Sequence, residues 1–161
     1  MEIEMAIKGL MVDPITNMPI IVLREAAGQR VLPIWVGVFE ANAIALQVEN
    51  VQTPRPMTHD LLKTVIDQLG GRVERIVVCE LKENTFYATL HIITAGELLE
   101  VDARPSDAIA LALRSGARIF VDEAVIQNAR SVEMSRETVD VGRIQKWLEN
   151  VPDDDLGKYK M

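Results

Sequence analysis

Aromatic side chains make up only 4% of this chain of 161 residues, so any core must be built from Val, Ile, Leu, Ala and Met. Cysteine is scarcer still. The single Cys79 excludes an intramolecular disulfide and any thiolate metal cluster. It ends the apolar run Ile76-Val77-Val78-Cys79 and reads as a buried thiol. No apolar run approaches the roughly 18 residues of a membrane-spanning helix. The start, Met1-Glu-Ile-Glu-Met5, has neither the basic residues nor the apolar stretch of a secretory signal. A cytoplasmic protein is the expectation. Basic residues are also in deficit: the formal net charge is −7, which argues against broad non-specific binding to nucleic acid. Four familiar chemical motifs are missing: a P-loop, a Gly-x-Gly-x-x-Gly turn, a Gly-x-Ser-x-Gly elbow and His-Glu-x-x-His.

What is present is an ordinary globular composition, 48% hydrophobic and 25% charged. A domain of this length buries roughly 70% of the surface its unfolded chain exposes. Residues 2–12 alternate as a strand. Asp13-Pro14-Ile15-Thr16-Asn17 is turn chemistry, and 19–24 returns as the second strand of a hairpin. After the Gly28-Gln29 turn, residues 31–36 form a third strand, with Pro33 pointing to a sheet edge or an irregularity. Trp35 in that strand reads as a core or interface residue. A helix follows Gly37, with Ala41, Ile44, Ala45, Val48 and Val51 on one face. Beyond the irregular Thr53-Pro54-Arg55-Pro56, Thr58 is placed to cap a second helix, whose Leu61, Leu62, Val65, Ile66 and Leu69 form an apolar stripe ended by Gly70-Gly71.

Strands resume at 73–81 and 85–94, the latter alternating cleanly, with Phe86, Ala88, Leu90 and Ile92 on one side. A further strand, 97–102, runs into Ala103-Arg-Pro-Ser-Asp-Ala-Ile-Ala-Leu-Ala-Leu113. Pro105 fits only the first turn of a helix, and Ser106 and Asp107 suit a helix start. A short strand at 118–121, a short helix at 123–129 and an amphipathic helix at 141–151 complete the reading, ahead of an acidic, frayed tail. Ala43-Ile-Ala-Leu46 recurs as Ala108-Ile-Ala-Leu111, each time after three strands and a turn. The fold expected is therefore α+β: duplicated β-β-β-α units forming mainly antiparallel sheet packed against helices. Apolar faces left by such a unit suit a homodimer or higher homo-oligomer.

Three polar clusters carry the candidate chemistry: Glu40 with Asn42; Arg55, Thr58, His59 and Asp60; and Asp102, Arg104, Ser106 and Asp107. Glu40, Asp60, Asp102 and Asp107 are hard oxygen ligands suited to Mg²⁺ or Mn²⁺. Arg55 and Arg104 suit bidentate phosphate contacts, and His59 is a general base or acid near neutral pH. Each has a plainer explanation. Asp60 and Asp107 favour a first helical turn by about 0.3–1 kcal/mol whatever the function. Asp102 with Arg104 makes a local ion pair, and His59 just past a cap suits a solvated surface. His91 faces the polar side of its strand, outside the site.

The segments Leu32-Pro-Ile-Trp-Val-Gly37, Glu40-Ala-Asn-Ala-Ile-Ala-Leu46, Arg55-Pro-Met-Thr-His-Asp-Leu-Leu62, Thr85-Phe-Tyr-Ala88 and Asp102-Ala-Arg-Pro-Ser-Asp-Ala-Ile-Ala-Leu-Ala-Leu-Arg114 closely resemble the bifunctional nuclease (BFN) domain family. The resemblance places a family-like domain at 1–130 and leaves 131–161 as a C-terminal helix and acidic tail, without the UVR segment some bacterial members append. The family name implies cleavage of both DNA and RNA but brings no mechanism with it; the residues themselves suggest phosphodiester hydrolysis that is metal-assisted and without sequence preference. His59, Asp60, Asp102 and Asp107 would be catalytic, with Arg55, Arg104 and Ser106 on substrate. Glu40, Asp102 and Asp107 would hold Mg²⁺ or Mn²⁺. The alternative is a non-catalytic, homo-oligomeric regulatory or DNA-repair-associated module binding a small anionic ligand or a protein partner.

Overall fold

A computed structural model describes residues 1–135, with side chains placed as far as Ala129. The expected helix at 141–151 and the acidic tail lie outside the described residues. The elements are β1 (Glu2–Val12), β2 (Pro19–Glu25), β3 (Val31–Trp35), α1 (Val38–Val48), α2 (Thr58–Gln68), β4 (Gly71–Lys82), β5 (Thr85–Thr94), β6 (Glu97–Ala103), α3 (Pro105–Ser115), β7 (Arg118–Asp122) and α4 (Glu123–Ser135). The strands join into one seven-stranded sheet ordered β3-β2-β1-β7-β4-β5-β6. The duplication is visible in that order. Each unit places its first strand inward and its third at an edge, and β7 fills the seam, antiparallel to β1 and parallel to β4.

Local chemistry accounts for the turns. The buried Asp13 carboxylate accepts from the Ile15 N–H, the Thr16 hydroxyl and the Trp35 indole N–H, at 2.8–2.9 Å. It thereby ties the first hairpin turn to the third strand. Burial pushes the Asp13 carboxyl up, but these donors outweigh it and hold the group below its ordinary value. Glu83 and Asn84 both adopt positive φ between β4 and β5, as a two-residue hairpin turn requires. Pro33 lies on β3, an edge strand, as its missing N–H demands.

Alternation decides which side of the sheet is covered. Ile21 and Leu23 of β2, Ile76 and Val78 of β4, and Ala88, Leu90 and Ile92 of β5 join one core with residues of α1, α3 and α4. The opposite side carries a smaller cluster, Met11, Ile20, Val22 and Val31 against Trp35, and no described helix. Cys79 is exposed, contrary to expectation. Alternation from Ile76 and Val78 turns Cys79 to the helix-free face, where its Sγ lies 3.5 Å from Thr89 Oγ1; the register slip between Val78 and Glu80 then brings Leu81, paired with Phe86, to the covered face.

Helix α2 also departs from its pattern. Leu61, Leu62, Val65 and Leu69 are exposed, and Leu69 keeps 78% of its accessible surface. The helix is fastened by His59, by Asp60 and by Ile66 against the core. Its N-cap is Met57 rather than Thr58. On α1 the inner face is Ala41, Ala43, Ile44 and Ala45, while Val48 is exposed; Val51, expected on the same face, lies beyond the end of the helix and is exposed. Among the described residues no helix is long and apolar enough to cross a membrane.

Candidate functional site at three helix starts

Three helices begin with a carboxylate at the same position, the third helical residue: Glu40 in α1, Asp60 in α2 and Asp107 in α3. An acid there favours the helix dipole and can reach back to cap the preceding backbone N–H. Asp60 does so, accepting from the Met57 N–H at 2.9 Å. Glu40 and Asp107 make no such bond; both are turned toward the Arg104 guanidinium instead. Helix capping therefore accounts for one of Asp60's oxygens and leaves the orientation of Glu40 and Asp107 to be explained by the site.

Arg104 donates from Nε to Asp107 Oδ2 and from an Nη to Glu40 Oε1, both at 2.9 Å. Asp107 Oδ1 lies 2.9 Å from His59 Nε2. Glu40, Arg104, Asp107 and His59 thus form one connected chain spanning α1, the start of α3, and α2. The duplication explains the meeting: Glu40 and Arg104 both lie at the corner where a unit's third strand gives way to its helix, and α1 packs on α3. Gly37, the residue before α1, leaves the space that Glu40 uses, since a Cβ there would collide with the Glu40 carboxylate.

Burial raises the Asp107 carboxyl, yet the hydrogen bonds from His59 and Arg104 overcome it and hold the group below its ordinary value. An ionised carboxylate only accepts, so His59 donates through Nε2. In the neutral imidazole this leaves the lone pair on Nδ1, which makes no hydrogen bond to a described residue. His59 is itself buried, 9% exposed, rather than solvated. Arg104 remains 67% exposed along its side chain, with three of its five N–H groups unused.

Asp60 joins the same region through Arg114, a residue the sequence reading left aside. Arg114 is 5% exposed along its side chain and donates to Asp60 Oδ1 at 2.6 Å and to the Ala43 and Ala110 carbonyls at 2.9 Å. An Arg in the last turn of a helix reads as a dipole complement, so nothing in the sequence signals this tie. Beside it lies a groove of about 340 Å³, lined by residues including Gln47, Thr53, Arg55, Asp60, Thr64 and Arg114. The Arg55 side chain is exposed there and makes no ion pair with a described residue.

Two residues stand apart. Asp102 pairs with Thr89 across β5 and β6, which places it on the sheet face away from the helices. Ser106 is buried in the first turn of α3 and makes no hydrogen bond to a described residue. The residues expected to hold Mg²⁺ or Mn²⁺ do not gather as ligands. Glu40 and Asp107 are spanned by a guanidinium, Asp102 lies on the other face, and no three His, Cys, Asp or Glu side chains among the described residues are set to hold a metal ion.

The fold and site define a duplicated α+β domain with a histidine, an arginine and carboxylates linked at its helix starts. Sequence comparison gives that class its family. The Bifunctional nuclease domain profile matches residues 21–134, and the chain belongs to that family. An uncharacterised Mycobacterium tuberculosis protein is 40% identical over 95% of this chain and 97% of its own. Bifunctional nuclease 2 of rice, Oryza sativa subsp. japonica, is 31% identical over 77% of this chain, which spans 40% of the rice protein. Bifunctional nuclease 1 of Arabidopsis thaliana is 31% identical over 65% of the chain and 34% of its own length.

Proposed function

We propose that the protein hydrolyses phosphodiester bonds of DNA and RNA at the His59–Asp107–Arg104 network. The observation that carries this reading is the convergence of those side chains with Glu40 in one hydrogen-bonded chain. Arg104 holds the phosphoryl oxygens with its unused N–H groups. His59 Nδ1 takes a proton from the attacking water, while Asp107 fixes the tautomer and stabilises the imidazolium that forms. The phosphorus–oxygen bond to the leaving nucleotide breaks, and that oxygen is protonated from solvent. Glu40 holds the second side of Arg104 and sets the guanidinium plane. Asp60 positions α2, and with it His59, through Arg114.

Purified protein is expected to degrade single-stranded DNA and RNA, and His59→Ala and Asp107→Asn to reduce turnover roughly 10²–10⁴-fold, the range for loss of a general base. Asp102→Ala, on the other face, is expected to leave turnover within about twofold of wild type. Equal activity in all three variants would trace the hydrolysis to a contaminant. The same assay with Mg²⁺, Mn²⁺ or chelator reads the metal: activity retained in chelator fits the His59–Asp107 pair, whereas an absolute metal requirement would count against it and make Glu40 and Asp107 the carboxylates that would hold the ion.

The groove around Arg55 supports the second reading, a module that holds a small anionic ligand without chemistry. Saturable binding of inorganic phosphate or a mononucleotide by a protein without hydrolytic activity, lost in Arg55→Ala, would decide for it.

A further inference from the structure

Phe39 is 86% exposed, the most exposed large hydrophobic side chain after the terminal Met1 among the described residues. The other two phenylalanines are partly sheltered. Phe86 packs against the core, and Phe120 lies under the guanidinium groups of Arg75 and Arg118 at 5.3 and 5.4 Å. In a protein so poor in aromatics, leaving one ring in water forgoes a large hydrophobic gain. Its place is informative. Phe39 and the exposed Val38 open α1, immediately before Glu40, whose carboxylate is bonded to the exposed Arg104. An exposed ring thus lies one residue along α1 from the carboxylate that holds Arg104, the one cation of the network that faces solvent.

We propose that Phe39 is a stacking platform for an unpaired base of single-stranded nucleic acid, with the adjoining phosphate on Arg104. This rests on the nuclease reading and adds its substrate form. Bases in a duplex are already stacked on one another, so a ring in this position selects single strands or frayed ends. Stacking is indifferent to base identity, because every base offers a π-face. It also supplies attraction that a chain of net charge −7 cannot draw from bulk electrostatics. The ring acts on binding and positioning, not on proton transfer.

The test uses fluorescence anisotropy of a labelled single-stranded oligothymidylate, the same backbone with abasic sites, and a duplex of equal length, with probe integrity checked on a denaturing gel. Phe39→Ala is expected to weaken binding of the oligothymidylate roughly 5- to 100-fold, and Phe39→Trp to keep it. Wild type is expected to bind the abasic probe and the duplex as weakly as Phe39→Ala binds the intact strand. In hydrolysis assays Phe39→Ala should raise KM with kcat little changed. Unchanged binding in Phe39→Ala, equal wild-type affinity for intact and abasic probes, or no wild-type binding at all would each overturn the proposal. So would a fall in oligomeric mass in Phe39→Ala, which would place the ring between copies of the chain. Base-dependent binding without hydrolysis would sink the nuclease reading and leave the platform standing, whereas hydrolysis indifferent to Phe39 does the reverse.

Discussion

Asp107 receives hydrogen bonds from both Arg104 and His59, and this gives its protonation a signature in stability. Its ordinary value is 3.8, and the folded carboxyl lies below it. A depressed carboxyl contributes stability that is fully present above the unfolded value and is lost as pH falls through the folded one. Asp107→Asn is therefore expected to be less stable than wild type by about 1.5–3 kcal/mol at pH 7, the scale of a hydrogen bond to a charged group. The gap should close as pH drops below about 4. Urea midpoints from pH 7 to pH 3 measure it, and a gap that does not vary with pH would show that the carboxylate is not what His59 and Arg104 hold. At this scale the sequence was informative about which residues matter and silent about how they pair. Glu40, His59, Arg104 and Asp107 stand out as residue types at helix starts. That Arg104 bridges Glu40 across 64 positions, while Asp102 two residues before it faces away, depends on strand pairing, which no local pattern encodes.

Helix α2 shows the same division at the scale of the element. Periodicity at 3.6 residues places Leu61, Leu62, Val65, Ile66 and Leu69 on one side and marks the helix correctly. It cannot say what covers that side. In the single chain Ile66 alone of the five packs against the core, and the other four are exposed. The exposed Leu99 and Val101 of edge strand β6, on the same side of the sheet as the helices, add to the uncovered apolar surface. Leu99 pairs with Ile92 across the sheet, and Ile92 and Ile66 both crowd the position where Gly71 has no Cβ. Apolar surface of this kind commonly marks an interface, and a second copy of the chain is the partner we propose. Leu62→Glu is expected to lower the mass measured by light scattering toward that of the single chain, 17.9 kDa, while leaving the circular dichroism spectrum unchanged. A single-chain mass for wild type would remove the argument. The buried thiol expected at Cys79 failed for a related reason: an apolar run does not say which face of the sheet the helices cover, and Cys79 falls on the uncovered one.

For the whole molecule, the repeat was the most useful sequence feature, because matching Ala-Ile-Ala-Leu segments after three strands implied two units that meet. A repeat does not say how its two units join, and β7 joins them into one sheet by pairing with both β1 and β4. The seam is short, with four residue pairs to each side. It is reinforced on the uncovered face by Phe120 under Arg75 and Arg118, with Arg75 in turn paired to Glu2. A chain ending before Arg118 would keep both three-stranded halves but lose the strand between them. Residues 1–117 are expected to show no cooperative thermal transition by circular dichroism and to aggregate, as unpaired inner edges would. A sharp transition in that fragment would mean that the halves dock without β7.

The position of β7 also sets an order in time. A strand that lies fourth in the sheet is the seventh to be synthesised, so β1 and β4 leave the ribosome with their inner edges bare and wait for Arg118–Asp122. The nascent chain therefore carries two incomplete sheets from the completion of β6 at Ala103 until β7 follows at Arg118. Glu40 and Arg104 come from the two halves that β7 joins, so the candidate site cannot form until both halves have been synthesised.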